Sequence, residues 1–488
     1  MREKNNGALE VFLSSKETTQ TVSRQVAAKV ARKIGPRLYT HNLIDPIEVI
    51  VARNRWQIIG LLAPNAVISH RTALESRPTE DGTVFLTATY KRLIKMPNMR
   101  IVQIEGAGPL DGDMPFIGSL YMASQPRALL ENIARTKTVA GVSRSVGAVA
   151  IEKRLIEVLR VRGVDALNAI RDHARIIAPA LGLQGEFSQL DRLIGSLLRT
   201  HTANLVSPVA RSYANGEPYD GVCLERLDTL RSALADSVLP LRQANQQPNE
   251  AFYNEGFFDA YFSNFIEGTE FQIDEAIDII FHGLVSTSRP DDAHDIIGTY
   301  RVVGDYKEMQ TLPHDSSDFL VLLKRRHFTI LESRFDKKPG EFKDLPNQAG
   351  STIFVAPDLV VGTLKKGFEL YQTLQDCFAR ALFMMFLVSE VHPFNDGNGR
   401  IARAMMNAEL IANRCNRVIV PSVYRNEYIA SLKRMTNHND PSAFVRVMGF
   451  AQEFVSRINF ENLKNAVAIL DACNAFEKPS DSARLKMP

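Results

Sequence analysis

The chain has 488 residues, of which 45% are hydrophobic and 23% charged, and its formal net charge is +3. This length allows two or three domains with substantial cores, and the small net charge by itself indicates neither nucleic-acid nor membrane binding. No stretch approaches the roughly 20 apolar residues that a spanning helix needs, and no signal peptide is recognisable at the start. The four cysteines (Cys223, Cys377, Cys415 and Cys473) are widely spaced and form no zinc-type pair. A reducing, cytoplasmic location is therefore expected.

The N-terminal segment is locally basic, since residues 18–44 include no Asp or Glu. A helix is predicted from Val22 onwards, and Gly35-Pro36 ends it before a short strand. A cationic helix followed by a basic hairpin is the layout of a winged helix-turn-helix, in which Lys and Arg contact phosphates. An ordinary solvated basic helix is the alternative. The candidate DNA-binding residues are Arg24, Lys29, Arg32, Lys33 and Arg37.

The next segments alternate β-rich and helical patterns, at residues 66–74, 83–90, 101–104 and 120–130. Together with the basic segment they resemble the antitoxin of the abortive-infection AbiE system. The resemblance implies a winged helix over 1–65, then an antitoxin-like α/β region followed by helices over 66–205. Duplex DNA is the expected partner of this half. Ser69, His70 and Arg127 are interpreted as scaffold residues.

Proline and glycine mark a break after this half. Pro208, Gly216 and Pro218 predict a linker, which we extend with a following helix over residues 206–240.

The most informative segment is His392 to Arg403, which reads HPFNDGNGRIAR between two apolar helical runs. Gly397 and Gly399 lie where the second helix should begin, and without Cβ atoms they let backbone N–H groups approach an anion. The unpaired donors and positive dipole of a helix N-terminus complete a phosphate cradle.

The charged residues of the segment add chemistry to that cradle. Arg400 and Arg403 are three residues apart, so both can reach one polyphosphate. Asp396 is a hard oxygen ligand suited to Mg²⁺. His392 can take a proton from a hydroxyl at neutral pH. A turn between core helices, with Asn, Asp and Gly as turn residues, is the alternative interpretation.

The segment resembles the Fic (Fido) family motif HPFx[DE]GNGRxxR at every fixed position. The resemblance implies an all-helical domain over 241–470, with a core at about 310–455, that transfers AMP from ATP to a protein hydroxyl. By the same resemblance His392 is the catalytic base and Phe394 anchors the loop. Asp396 holds Mg²⁺, and the ATP contacts are Gly397, Asn398, Gly399, Arg400 and Arg403.

An upstream segment, Ser263 to Gly268, resembles the family's inhibitory motif [ST]xxxE[GN]. Ser263 and Glu267 are one helical turn apart, and Gly268 suits a helix C-terminus. The resemblance implies an inhibitory helix over 251–268 in which Glu267 pairs with Arg403. An ordinary surface Ser and Glu is the alternative.

Two further segments resemble parts of the same family. Residues 347–356 combine Gly and Pro with β-formers, which predicts a short hairpin similar to the Fic flap that docks the target protein. Lys343, just before it, stands where the family more often has Arg. Tyr428, in a downstream helix, is expected to wall the adenine, although an aromatic residue at helical spacing is more often core.

The expected fold is mainly α, with a winged helix and an α/β antitoxin-like region before a helical Fic domain that carries a small β-hairpin flap. A tail follows over 471–488. The expected function is autoinhibited protein adenylyl transfer with a DNA-binding half. The alternatives are a DNA-binding regulator whose Fic domain senses nucleotide, and removal of AMP by the same site. A homodimer is left open.

Overall fold

The computed structural model describes residues 9–134, 138, 141–237, 239–244, 247–284, 289–350, 352–480 and 483–488. Ser351 of the predicted flap, residues 1–8 of the predicted winged helix and residues 481–482 of the predicted tail lie outside the described residues. The chain divides into two compact units between Asn215 and Gly216.

The first unit opens with short elements: β1 (Val11–Leu13), α1 (Thr19–Ala27), β2 (Arg32–Gly35), β3 (Leu38–Thr40), α2 (Ile47–Arg53) and α3 (Arg55–Leu62). The three strands form an antiparallel sheet in the order β1-β3-β2. The basic segment therefore contains a helix followed by a hairpin, but the helix ends at Ala27 and not at the predicted Gly35-Pro36, because Arg32–Gly35 forms strand β2. Val22 is buried in α1, whereas Val30 is 53% exposed because the helix has already ended at Ala27.

The rest of the unit comprises β4 (Val67–Ile68), α4 (His70–Glu75), β5 (Thr83–Ala88), β6 (Arg92–Met96), β7 (Met99–Glu105), β8 (Met114–Pro115), β9 (Tyr121–Met122), α5 (Gln125–Ile133), α6 (Ala148–Leu181), α7 (Gln184–Leu197) and α8 (Pro208–Ala214). Among the described residues, β4 to β9 form one mixed sheet in the order β6-β7-β5-β4-β9-β8. Beneath it, the buried Arg127 guanidinium donates to Glu131 (2.9 Å) and Asp113 (2.6 Å). These saturated contacts suit a scaffold role for Arg127.

The division between the two units falls inside the segment predicted as a linker and helix, 206–240, although this segment begins with helix α8. Ser207 caps α8 by accepting from the Ala210 N–H, and Pro208 occupies the first helical position, where its missing N–H costs nothing. The side chain of Ala210 is buried in the apolar core of the first unit. The proline that was interpreted as a break therefore starts a helix, and the division between the units falls after it.

The second unit contains α9 (Gly221–Ala235), α10 (Glu250–Ile266), α11 (Ile273–His282), α12 (Pro290–Val303), α13 (Tyr306–Met309), α14 (Ser316–Ile330), β10 (Gln348–Ala349), β11 (Thr352–Ile353), α15 (Val360–Tyr371), α16 (Cys377–Val391), α17 (Asn398–Ala412), α18 (Arg425–His438), α19 (Ser442–Ser456) and α20 (Leu463–Ala472). The paired strands β10 and β11 are the small hairpin of an otherwise helical fold. The expectation of a mainly helical chain with a helical C-terminal domain and a hairpin is confirmed.

Helix α16 is the centre of this unit. Its side chains are apolar on every face and almost all buried, so neighbouring helices must surround it. Helix α17 packs against it as the second arm of a helical hairpin, and α9 and α15 pack on other faces. The loop of six residues between the two arms, 392–397, is thereby held at one end of a rigid core.

Two predicted boundaries differ from the structure. The helix predicted over 251–268 runs over Glu250–Ile266, because Asn249 caps its start and Gly268 adopts a left-handed φ of 98° after its end. The predicted tail, 471–488, begins inside α20, and Phe476 stacks on Phe262 with ring centroids 5.4 Å apart. In the described part of the chain, every helix is too short or too polar to cross a membrane.

Candidate active site

His392 ends helix α16 in a left-handed conformation with φ 51°, which turns its ring toward a pocket in the second unit. Its Nδ1 lies 3.2 Å from the Ser389 carbonyl oxygen. Because a carbonyl only accepts, Nδ1 carries the proton and the Nε2 lone pair is left as an acceptor. Burial lowers the pKa of His392 to about 4. The imidazole is therefore neutral at pH 7, as a proton acceptor must be.

The loop after His392 is held by reciprocal hydrogen bonds. The Asn398 side chain accepts from the Phe394 N–H and donates to the Phe394 carbonyl, both at 2.8 Å. The Phe394 ring is fully buried and stacks on His327, with centroids 3.6 Å apart. The expected anchoring role of Phe394 is confirmed. The Asn398 side chain braces the loop, so only its backbone remains for an anion.

His327 is a positioning residue that the motif did not reveal. Its Nδ1 accepts from the Gly340 N–H at 2.9 Å, so its Nε2 carries the proton and donates to the Asp396 carbonyl at 3.0 Å. Burial lowers the pKa of His327 to about 4, which keeps this one tautomer at neutral pH. The imidazole thereby ties helix α14 to the candidate catalytic loop.

Helix α17 starts where the anion cradle was predicted. Gly397 precedes the helix with φ 72°, and the first-turn N–H groups point out of the helix end. A Cβ on Gly399 would lie 2.1 Å from the Glu267 Oε1 and 3.0 Å from the Arg403 Nη1. Because Gly399 has no Cβ, the Glu267 carboxylate fits beside the helix N-terminus.

Arg403 connects helix α17 to the predicted inhibitory motif on helix α10. Its Nη2 donates to the Glu267 Oε1 at 2.7 Å, and its Nε donates to the Ser263 Oγ at 2.9 Å. A further bond from Nη2 reaches the Ser263 carbonyl at 2.9 Å. Arg403 is only 3% exposed. Ser263 and Glu267, which are 140 and 136 residues away in sequence, thus occupy this buried guanidinium together. Gly268 supplies the turn that follows the helix.

Arg400 has a different environment from Arg403. Its Nη1 lies 2.6 Å from the Asp295 Oδ2, and its Nη2 lies 3.6 Å from the Asp396 Oδ1. Both arginines are 3% exposed, but of the two only Arg403 lines the pocket. The prediction placed both arginines on one polyphosphate. In the structure Arg400 instead faces Asp295, because successive turns of α17 meet different neighbouring helices.

Asp396 fits the expected magnesium ligand. One carboxylate oxygen accepts from the Gly397 N–H at 2.6 Å, and the side chain is 40% exposed. The other oxygen lies 4.0 Å from the Lys337 Nζ. Mg²⁺ is usually held by one or two carboxylates together with substrate phosphates, so one accessible carboxylate beside an anion cradle suits it.

The flap lies over the base. The Phe354 ring stacks on the His392 ring with centroids 3.8 Å apart. Lys343, which precedes the hairpin in the chain, is buried. Its Nζ donates to the Asn347 Oδ1 at 2.7 Å, and its backbone N–H donates to the Pro393 carbonyl at 2.8 Å. Burial lowers the pKa of Lys343 to about 8. Asn347 in turn donates to the Phe394 carbonyl at 2.9 Å.

The pocket, about 220 Å³, is lined by Gly399, Arg403 and His392. Tyr428 is 1% exposed and lines this pocket, and its hydroxyl lies 3.4 Å from the Arg403 Nη1. Phe386, Ile429 and Leu432 add apolar surface to the lining, and the buried Glu390 is also part of it. Glu390 accepts from Thr436 (2.6 Å) and pairs with Arg226.

Several residues around this site carried no signal in the sequence. Asp295, His327, Glu390 and Arg425 come from separate helices, and Arg425 donates to the Ile266 carbonyl at 2.9 Å, at the end of α10. Single polar residues in amphipathic helices do not stand out from surface residues. Burial reveals them, because buried polar groups require partners.

The candidate DNA-binding residues of the first unit divide into two sets. The first set, Arg24, Lys29 and Lys33, is exposed; the second set is the exposed Arg37 and the half-buried Arg32, which bond backbone carbonyls. The Arg37 guanidinium donates to the Ser14 carbonyl at 2.7 and 3.1 Å, and Arg32 donates to the Asp45 carbonyl. The first set is available to a partner, whereas the second braces the small sheet.

Residues 319–410 match the model of the Fic/DOC family. The chain is 26% identical over 249 residues to "Protein adenylyltransferase Fic" of Aedes aegypti, which covers 49% of this chain and 47% of that protein. It is 28% identical over 198 residues to "Protein adenylyltransferase fic-1" of Caenorhabditis elegans, with 39% and 38% covered. Among solved structures, C. elegans Fic-1 is 17% identical with a TM-score of 0.36, and the match covers 67% of this chain and 99% of that one.

The mosquito match spans about half of each of the two proteins. The family match contains the loop 392–403, while Ser263, Glu267 and Tyr428 lie outside it. The loop that carries His392 thus lies in the part of the chain that matches the Fic/DOC family, and the chain has protein adenylyltransferases as relatives.

Proposed function

We propose that this chain is an autoinhibited protein adenylyltransferase that moves AMP from ATP to a hydroxyl side chain of a target protein. The observation that carries the proposal is the shared pocket of His392, Gly399, Arg403 and Glu267. A neutral base and an anion cradle adjoin there, and an internal carboxylate occupies the cradle. Relatives that are named protein adenylyltransferases support the same reaction.

The chemistry is an in-line displacement at the α-phosphate of ATP. The target hydroxyl oxygen forms a bond to the α-phosphorus, its proton passes to Nε2 of His392, and the bond to the β-phosphate bridging oxygen breaks to release pyrophosphate. A magnesium ion at Asp396 would neutralise phosphate charge. The N–H groups of the first turn of α17 and the Arg403 guanidinium stabilise the charge that develops on phosphate oxygens.

Glu267 inhibits this reaction by holding Arg403. While the carboxylate and the Ser263 oxygens bond the guanidinium, a terminal phosphate cannot bond it, and the carboxylate repels phosphate from the cradle. The Arg403 side chain is buried but the Glu267 side chain is 32% exposed, so breaking this pair involves less than the about 3–5 kcal/mol of a fully buried pair. An energy of about 2–3 kcal/mol changes the active fraction by tens to hundreds of fold.

The flap is the proposed docking edge for the target. Ile353 is 75% exposed at the hairpin, and Phe354 beside it covers His392. An extended segment added to this edge by main-chain hydrogen bonds would bring its hydroxyl to the base.

The decisive experiment incubates the full chain with ATP labelled on the α-phosphate and a lysate. Wild type is compared with Glu267→Gly and with Glu270→Gly, a matched change at an acidic residue that pairs with Lys478 instead of Arg403. We expect labelled protein to increase by tens to hundreds of fold for Glu267→Gly only.

Two results would favour the alternatives to transfer. Tight binding of ATP without labelling of any protein, in both variants, would favour a nucleotide sensor. Loss of label from pre-modified protein in wild type alone would favour AMP removal.

We further propose that the first unit binds duplex DNA. The support is the exposure of Arg24 on helix α1, of Lys29 in the turn after it and of Lys33 on strand β2, in a segment free of acidic residues. The test is the salt dependence of binding to a duplex oligonucleotide. Replacement of these three cations by Gln should weaken binding, and replacement of the exposed Lys153, Arg154 and Arg160 should not. Equal affinity of wild type and the first triple variant would contradict the proposal.

A further inference from the structure

Two cysteines meet at the end of the α16–α17 hairpin that lies opposite the catalytic loop. Cys377 is the first residue of α16, and Cys415 follows the end of α17. Their Sγ atoms are 2.9 Å apart, although the residues are 38 positions apart in sequence. A disulfide bond needs a separation of about 2.05 Å, so a small rotation of the side chains brings the sulfurs into bonding range.

The two thiols differ in exposure and in acidity. Cys415 is 1% exposed, whereas Cys377 is partly exposed at the helix start. The hydrogen bond between the sulfurs lowers the pKa of Cys415 and raises that of Cys377. The contact therefore favours loss of one proton from the pair, because the remaining thiol can donate to the thiolate, and a thiolate is the reactive form of cysteine.

The other two cysteines provide a contrast within the same unit. Burial raises the pKa of Cys223 well above its usual range and raises the pKa of Cys473. Both are buried and outside any disulfide. Reactivity toward mild oxidants is therefore expected at the Cys377–Cys415 pair first.

The surroundings of the pair are already rigid. Arg380 donates to Glu409 at 2.6 Å, and Tyr371 donates to the same carboxylate at 2.5 Å. The backbone on either side of Cys415 forms hydrogen bonds with the segment that precedes α10. The Ala244 N–H donates to the Arg414 carbonyl and the Asn416 N–H donates to the Arg242 carbonyl, both at 2.9 Å. A bond between the sulfurs would thus join elements that already hold their positions.

We infer that Cys377 and Cys415 are a site of reversible oxidation, at which a peroxide converts the two thiols into an intramolecular disulfide. One thiolate attacks the peroxide, so a sulfur–oxygen bond forms, the oxygen–oxygen bond breaks, and hydroxide leaves. The second sulfur displaces the sulfenic oxygen as water and forms the sulfur–sulfur bond. Overall, two thiols and one hydrogen peroxide give one disulfide and two waters, and an external dithiol reverses the change.

The disulfide would stabilise the second unit. It closes a loop of about 38 residues, and closing such a loop restricts the unfolded chain. We expect the midpoint of thermal unfolding to rise by roughly 5–10 °C on oxidation. This inference is independent of adenylyl transfer, since it concerns the opposite end of the hairpin.

The test treats the full chain with hydrogen peroxide, denatures it and alkylates the remaining thiols. From the four cysteines of the sequence we expect two alkylated thiols, a mass loss of two hydrogens, and a peptide cross-linked between Cys377 and Cys415. Dithiothreitol should restore all four thiols. Cys377→Ser should keep its three thiols, and Cys473→Ser should still form the cross-link.

Three results would overturn the inference. They are four alkylatable thiols after treatment, oxygen added to cysteine without a cross-link, and a cross-link that survives in Cys377→Ser. Because Cys377 is partly exposed at a helix start, Cys377→Ser should fold. Cys415→Ser, which tests the buried partner, should give the same three thiols. An unfolding midpoint that rises equally in wild type and Cys377→Ser would also contradict the expected role of the bond.

Discussion

Two short polar segments present their candidate functional residues differently: residues 392–403, which span the loop 392–397 and the start of α17, and the basic segment 24–37. In residues 392–403 each key side chain has a directed partner: His392 bonds Ser389, Asn398 bonds Phe394, and Arg403 bonds Ser263 and Glu267. In the basic segment Arg24, Lys29 and Lys33 are exposed, and the cations with clear partners serve the fold. Transfer at phosphorus requires oriented groups, whereas contact with a charged polymer requires only accessible charge.

The largest expected effect on activity follows replacement of His392. Replacing His392 by Ala should lower transfer by about 10²–10⁴-fold, because the proton acceptor is lost. The measurement is the initial rate in the Glu267→Gly background, with the exposed His294→Ala as control. Circular dichroism should match the parent. A folded variant that retains the rate within a factor of a few would remove His392 from the mechanism.

Arg403 distinguishes the inhibitory contact from the phosphate contact. Arg403→Ala should not mimic Glu267→Gly, since it removes the phosphate ligand together with the ion pair. In the Glu267→Gly background we expect a further loss of roughly 10²-fold, the size that follows removal of one oriented donor. Activation of transfer by Arg403→Ala alone would show that Arg403 serves only the inhibited state.

Asp295 tests whether Arg400 belongs to the core. Asp295→Ala leaves the buried Arg400 without its 2.6 Å partner, so the free energy of unfolding should fall by about 3–5 kcal/mol. Asp292→Ala, in the first turn of the same helix, should cost less than about 1 kcal/mol. Denaturant unfolding measures both. Similar small losses in the two variants would indicate that the Arg400 pair contributes little to folding.

The pH dependence tests how far burial sets the chemistry of the base. Since the pKa of His392 is about 4, transfer by Glu267→Gly should stay nearly constant from pH 7 to about 5 and fall below that. A half-maximal rate near the ordinary histidine pKa of about 6.5 would indicate a solvated imidazole.

Stability should change with pH through His327 in the same range. Its pKa is about 4 in the folded state, below the value in the unfolded chain, so the unfolded state binds more protons between these two values. The stability is therefore full above the unfolded pKa and decreases as pH falls toward 4. His327→Gln should flatten this decrease, as measured by denaturant unfolding at several pH values.

The basic segment gives the smallest expected effects. Replacing Lys33 by Gln should reduce the slope of log affinity against log salt by about 1, since one phosphate contact is lost. The exposed Lys153→Gln is the control. We expect Arg37→Gln to lower thermal stability more than it changes the slope, because its guanidinium bonds Ser14. A slope unchanged by Lys33→Gln would separate this cation from DNA.

The sequence alone determined the local chemistry of the loop. His392, Phe394 and Asp396 follow an apolar helix and precede glycines, so helix periodicity and glycine geometry were enough to predict the helix-loop-helix and its anion cradle. The mainly helical fold and the hairpin were predictable for the same local reason. Pro208 was misinterpreted because a proline can end an element or begin a helix, and only its N-cap Ser207 distinguishes these cases.

Only the tertiary structure decided which partners those residues meet. The pairing of Arg403 with Glu267 was expected from the family resemblance, but the pairing of Arg400 with Asp295 was not. His327 and Cys415 likewise acquire their roles from residues on other elements. Side-chain spacing along a helix fixes a direction, but the group found in that direction depends on how distant helices pack.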